Sequence, residues 1–231
     1  MANSKWKTEF KPFNDRANEW IASCENSRLN VLEGSSHAGK SLMSTLAFCF
    51  ALEKHPARLH LLAGYTKSTV GINLIDGNGY GIEALLPARR IKYENKDAIE
   101  VTTKIGTKIL LISGAGRSND HNRIQKYNFG LALFDHAELF HPTFIETALN
   151  ITDKIFMEFL AVDPNHWIYS KYLDIWQKEQ SLNSNYGLNY GHFTVADSPI
   201  KERIMENASM HDKDSDFYKQ NILGERIIGR K

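Results

Sequence analysis

The clearest chemistry in the sequence lies in Gly34-Ser35-Ser36-His37-Ala38-Gly39-Lys40-Ser41, which fits the spacing G-x-x-x-x-G-K-[ST]. That chemistry is the cradling of a polyphosphate. Gly34 and Gly39 let the backbone curl, so that the N–H groups of Ser35, Ser36, His37 and Ala38 point inward at phosphate oxygens. A helix starting at Lys40 adds the positive end of its dipole. Lys40 reaches the β- and γ-phosphates, and the Ser41 hydroxyl is a ligand for Mg2+. The pattern therefore predicts ATP and Mg2+ as cofactors.

Mg2+ beside a triphosphate needs a second acid at the end of a neighbouring strand. Leu131-Ala132-Leu133-Phe134-Asp135 has that form: an apolar run, then Asp135 where the strand ends. Hydrolysis also needs a group that orients the attacking water. His136 follows Asp135 directly, and Glu138 comes two residues later. Glu138 serves if the strand ends in a tight turn. His136 serves as a neutral imidazole, its ordinary pKa being about 6.5. With neither in place, the site turns over slowly.

Secondary structure must bring these residues together. Arg28 to Glu33 alternates and stops at Gly34, which reads as a strand running into a turn. Residues 41–54 put Leu42, Leu46, Cys49 and Phe50 at helical spacing, and residues 58–64 read as a second strand. Strand, glycine loop, helix, strand is a βαβ unit and calls for a parallel sheet. Residues 98–103 and 108–113 flank Ile105-Gly106 as a hairpin, so part of the sheet is antiparallel. Further strands are expected over 129–135, 155–162 and 192–195, and helices over 167–177 and 201–208. The first 27 residues read as a helical lead-in. Gly77 to Gly81 reads as a mobile loop apart from any nucleotide site. Ala88-Arg89-Arg90-Ile91-Lys92 reads as a solvated basic loop, with contact to DNA phosphates as the alternative. No Pro-, Gly- or Ser-rich linker divides the chain, so residues 1–231 are expected to form one domain.

Composition narrows the class. Lys plus Arg is 28 and Asp plus Glu is 27, a formal charge of +1, so any contact with nucleic acid must come from a local patch. Hydrophobic residues at 42% and charged residues at 24% suit a packed globular chain. The longest unbroken apolar run, Leu46 to Leu52, falls far short of the roughly 18 residues that cross a bilayer. Met1 to Lys7 lacks the apolar core of a secretion signal, and Cys24 and Cys49 are expected as reduced thiols in a cytosolic setting. None of the nine histidines forms H-x-x-x-H, which argues against a zinc enzyme.

Several stretches together resemble the N-terminal ATPase domain of bacteriophage terminase large subunits. They are Leu32 through Ser41, Ala63 through Val70, Arg123-Ile124-Gln125 with Phe129-Gly130 before Asp135, and Asp163-Pro164-Asn165-His166-Trp167. His192-Phe193-Thr194, Asp197-Ser198-Pro199 and Tyr218 through Glu225 extend the likeness. The resemblance implies an α/β P-loop NTPase fold. Its sheet would be mostly parallel and doubly wound, with helices on both faces and an antiparallel hairpin added. It implies ATP hydrolysis coupled to packaging of double-stranded DNA, in a ring docked on the portal protein, with the small terminase subunit as a further partner, in the host cytoplasm. Asp163 would then sit in the element that senses hydrolysis; otherwise it caps the turn at Pro164.

The sequence departs from that pattern in three places. The family's second motif reads Asp-Glu or Glu-Glu, where this chain has Asp135-His136. The family's phosphate loop often carries an arginine, where this chain has Ser36 and His37, so Arg117 or Arg123 becomes a candidate for stabilising transition-state charge. Tyr65 is a candidate for stacking on adenine. Family members continue into a nuclease. The acids after Asp135 show no metal-site spacing, so no nuclease activity is expected here, and a separate nuclease chain becomes a possible partner. The alternative reading is a nucleotide-binding module with weak or no turnover, serving assembly or regulation of a split terminase.

Overall fold

The computed structural model describes residues 13–228. The sheet consists of β1 (Leu29–Gly34), β2 (Leu59–Gly64), β3 (Ala88–Tyr93), β4 (Lys96–Thr103), β5 (Gly106–Gly114), β6 (Phe129–Phe134), β7 (Thr152–Leu160) and β8 (Leu188–Phe193). Their order across the sheet is β3-β4-β5-β2-β6-β7-β1-β8. From β5 to β8 all neighbours are parallel, and β3, β4 and β5 form an antiparallel addition. β1 and β6 are buried along their whole length. A parallel strand covered on both faces must read as a continuous apolar run, as Phe129 to Phe134 does.

Helices cover both faces, and strand parity decides which side chain meets which helix. Leu29, Val31, Ala132, Phe134, Ile155, Met157 and Phe159 pack in one core. They face α5 (Pro142–Ile151) and α6 (Asp174–Leu182), which contribute Phe144 and Trp176. Leu32, Leu131, Leu133 and Phe156 pack in the other, against α1 (Asp15–Ser23) and α2 (Lys40–Leu52). With period 2, Asp135 and Glu158 fall on the α2 side and Glu33 on the other. Between β2 and β3 the chain makes short turns, α3 (Lys67–Val70) and α4 (Ile82–Leu85). It ends in α7 (Lys201–Ala208) and α8 (Asp216–Tyr218), whose Ile204, Ala208 and Tyr218 form a small core with Val195 and Ile222.

The predicted elements are present with shifted ends, and four readings need correction. The lead-in helix spans only Asp15–Ser23; residues 1–12 lie outside the described residues. Residues 88–92 are no loop but part of edge strand β3, and its arginines are paired: Arg89 with Glu100 of β4 at 2.6 Å and Arg90 with Glu83, in the turn before the strand, at 3.5 Å. The 167–177 helix is a π-type turn, Tyr169–Leu173, that runs into α6. The last strand stops at Phe193, with Val195 already in a 3-10 turn. No described helix is long and apolar enough to cross a membrane.

Candidate functional site

The loop from Gly34 to Gly39 links the end of β1 to the start of α2. Its curl uses left-handed backbone at His37 (φ 58°) and Gly39 (φ 87°). Gly34 has φ 143°, and a Cβ there would lie 1.7 Å from the Phe193 carbonyl oxygen, so glycine alone fits. Lys40 is buried. Its Nζ donates to the Ser35 carbonyl at 2.7 Å and stands 3.9 Å from Glu158 Oε2. Burial pushes the Lys40 ammonium below its ordinary pKa, and the facing carboxylates, Glu158 first, oppose that shift.

β6 delivers Asp135, and β7, lying between β6 and β1, delivers Glu158. Asp135 Oδ2 accepts from Asn73 Nδ2 at 2.8 Å, while Oδ1 is buried and has no hydrogen-bond partner among the described residues. Burial, then the nearby Glu158 charge, raises Asp135 to about 8. His136 takes left-handed backbone (φ 56°, ψ 56°), and this turns its N–H onto Glu158 Oε1 at 3.0 Å. Its Nδ1 lies 2.9 Å from Glu138 Oε1, and that hydrogen bond leads the causes raising His136 to about 9. Burial alone would raise the Glu158 carboxyl, but Lys40 and His136 hold it below the usual range.

Lys40, Asn73, His136 and Glu158 border a cavity of about 750 Å3. Ser36 to Leu42 form one wall, Ile72, Asn73 and Asp76 to Asn78 another, and His136, Glu158 and Leu160 the floor. The glycine-rich stretch at Gly77 therefore lies on the cavity wall rather than apart from it. Neither Asp135 nor Glu138 lines the cavity; both are buried beside His136. Asp135, His136 and Glu158 offer ligand atoms that all lie within 4.8 Å of one another. The orphaned oxygen of Asp135 fits a divalent cation, which takes carboxylate oxygen.

The other candidates stand away from this cavity. Tyr65 is exposed, and its ring packs against Gly116. Arg117 and Arg123 lie on the loop before β6, with Arg123 Nε 3.7 Å from Asp120. Asp163 Oδ1 accepts the Asn165 N–H at 2.8 Å, an Asx turn around Pro164. The rings of His166 and Trp167 pack at 4.9 Å, and both cysteines are buried free thiols.

On the far face of β1, Glu33 is fully buried. It accepts from Tyr169 and Tyr190 hydroxyls at 2.7 and 2.6 Å and pairs with Arg226 through two hydrogen bonds of 2.7 Å. Ser36 donates to Asn221 at 2.7 Å, and Gln220 donates to the Ala161 carbonyl at 2.8 Å. The segment after α8 is thus fastened to the phosphate loop and to the end of β7.

A strand-end loop opening helix α2, with an acid two strands away across β7, is the arrangement of a nucleotide-binding α/β core. The solved structures extend the match. A large terminase from a thermophilic bacteriophage superposes with TM-score 0.76 and 19% identity, covering 93% of this chain and 53% of that one. This is the fold of a phage large-terminase ATPase domain. The same terminase with ADP gives TM-score 0.74 at 18% identity, and with ATP-gamma-S 0.73 at 19%. The large terminase ATPase domain of a Thermus phage gives TM-score 0.54 at 11% identity, with 94% of this chain and 100% of that chain covered. The chain spans about half the length of the first terminase. No family model and no curated protein matches the sequence.

Sequence reading missed Glu158, Asn73 and the partners of Glu33. The signal for Glu158 was a single charge inside Ile155-Phe156-Met157-Glu158-Phe159-Leu160, a run otherwise apolar on both faces. Asn73 carried no local signal, since only the packing of its turn against β6 brings it to Asp135.

Proposed function

We propose that this chain binds ATP with Mg2+ and hydrolyses it as the motor domain of a phage terminase, driving double-stranded DNA into the prohead. The observation that carries this reading is that Lys40 and Ser41 line one cavity with Asn73, His136 and Glu158, the residues that surround buried Asp135, in the fold of a terminase ATPase domain. In this reading Lys40 leaves the Ser35 carbonyl for the β- and γ-phosphates. The loop N–H groups and the start of α2 hold the remaining phosphate charge. Ser41 and Asp135 hold Mg2+, whose chemistry there is to neutralise charge developing on the phosphate oxygens. Double-stranded DNA, portal protein and the small terminase subunit are the proposed partners. Assembly is a ring in the host cytoplasm.

Lys40→Ala is expected to weaken ATP binding about 10- to 100-fold in calorimetry, the equivalent of roughly 1.5–3 kcal/mol for a hydrogen bond to a charged group. Equal affinity in both proteins removes the reading. ATPase rates with and without double-stranded DNA separate a motor from a module that only binds nucleotide. Stimulation by DNA is expected of the motor.

A further inference from the structure

The geometry points to Glu158 as the catalytic residue that orients the attacking water, a role moved from the strand bearing Asp135 to the strand beside it. This rests on the ATP-hydrolysis reading above. A water attacking the γ-phosphate must lie inside the cavity, so its base must reach the cavity. Glu138 does not line it: its Oε1 is engaged with His136 Nδ1, and its Oε2 is buried without a hydrogen-bond partner among the described residues rather than open to the cavity. Asp135 is held by Asn73 and is committed to Mg2+. Glu158 is the carboxylate of β7 that borders the cavity floor.

Its setting suits the role. Glu158 lies across from Leu32 in the β1–β7 register, just below the phosphate loop. Oε1 accepts the His136 backbone N–H at 3.0 Å, which fixes the carboxylate plane. Oε2 faces Lys40 Nζ across 3.9 Å, beyond hydrogen-bond reach. In this arrangement Lys40 balances the buried charge. When phosphates draw Lys40 away, the Glu158 carboxylate keeps only the His136 N–H and the neighbouring Asp135 carboxyl, and a water in the cavity gains a strong acceptor. A charged residue inside an otherwise apolar strand is costly to stability, so packing does not account for it. His136 contributes its backbone, whose left-handed turn aims the N–H at Glu158, and so acts as a positioning residue.

The step balances. A water oxygen bonds to the γ-phosphorus while its proton passes to Glu158 Oε2. The bond from the γ-phosphorus to the β–γ bridging oxygen breaks, and its electron pair stays on ADP. The proton then leaves with inorganic phosphate, which restores the carboxylate.

The test is single-turnover hydrolysis with Mg2+ and ATP on the full chain, beside ATP affinity by calorimetry. Glu158→Gln should bind ATP within about threefold of wild type and hydrolyse it on the order of 10²–10⁴ times more slowly. Adding His136→Glu to Glu158→Gln puts a carboxylate back beside Asp135, and turnover should recover at least about tenfold. A purely structural Glu158 would allow no such rescue. Should Glu158→Gln lose ATP binding, Glu158→Asp decides: it keeps the charge but draws it back by one methylene. A drop of about tenfold or more at unchanged affinity supports the assignment. Wild-type turnover in Glu158→Gln or in Glu158→Asp, or a loss confined to Glu138→Gln, overturns it. A wild-type chain that binds no ATP overturns the ATP reading itself.

Discussion

At the scale of single residues, the buried charges of this chain divide into those that serve a site and those that fasten the fold. Glu33 and Arg226 belong to the second kind. Arg226→Ala leaves a fully buried carboxylate with only two tyrosine hydroxyls. Breaking a buried pair costs about 3–5 kcal/mol, but the Arg226 side chain is 34% exposed, so a loss nearer about 2 kcal/mol is expected in urea unfolding. His60 is a buried neutral imidazole. Its Nδ1 accepts the Leu131 N–H, its Nε2 lies 3.0 Å from the Ala57 carbonyl, and burial pushes it down to about 3. A folded pKa below the unfolded one gives stability that is present above about 6.5 and lost as pH falls toward 3, at most about 1.4 kcal/mol per pH unit. Asp135, raised to about 8, has the opposite slope over part of that range. The difference between proteins is therefore the readout. His60→Gln should be the less stable at pH 7, and its deficit in melting temperature should shrink as pH falls from 6.5 to 4. A deficit independent of pH refutes the account.

At the scale of elements, the phosphate loop depends on the strand beside it. β8 approaches β1 so closely at Gly34 that a methyl group would meet the Phe193 carbonyl at 1.7 Å. Gly34→Ala must therefore separate β8 from β1 or deform the loop. Strong destabilisation is expected, seen as a fall in melting temperature of about 10 °C or more or as insoluble protein. The segment after α8 touches the same loop through Ser36 and Asn221. Asn221→Ala removes two side-chain hydrogen bonds, one accepted from Ser36 and one donated to the Phe217 carbonyl, and a loss of about 1–2 kcal/mol is expected in thermal unfolding. At this scale the sequence showed which segments are strands, because apolar runs with glycine and proline ends mark them. It did not show β3, since Ala88 to Lys92 alternates weakly and owes its strand form to pairing with β4.

At the scale of the whole molecule, the distribution of acids decides what else the chain can cut. Among the described residues, Asp135, His136 and Glu158 are the one group of acids and histidines close enough to hold a metal, and two of them, His136 and Glu158, border the phosphate cavity. Two-metal hydrolysis of a phosphodiester needs its own cluster. The chain alone is expected to leave plasmid DNA intact with Mg2+ or Mn2+; nicking that disappears when an acid outside this site is mutated would reveal a second centre. The ion pairs of β3, to Glu100 of β4 and Glu83 of α4, argue in the same way against reading Arg89 and Arg90 as an open basic patch.

The sequence by itself determined the phosphate loop, the acid at the end of β6 and the α/β class. These are local matters: glycine spacing, hydrophobic period and a strand stop are written in adjacent residues. Tertiary structure decided the rest of the site. Strand order inserts β7 between β1 and β6, and that insertion brings Glu158, distant in sequence from both Lys40 and Asp135, to the floor of the cavity. Tertiary packing likewise engages Glu138 with His136 and brings Asn73 to Asp135. A strand's neighbours in a parallel sheet are set by crossovers and by the packing of whole faces, so no short stretch of sequence records them.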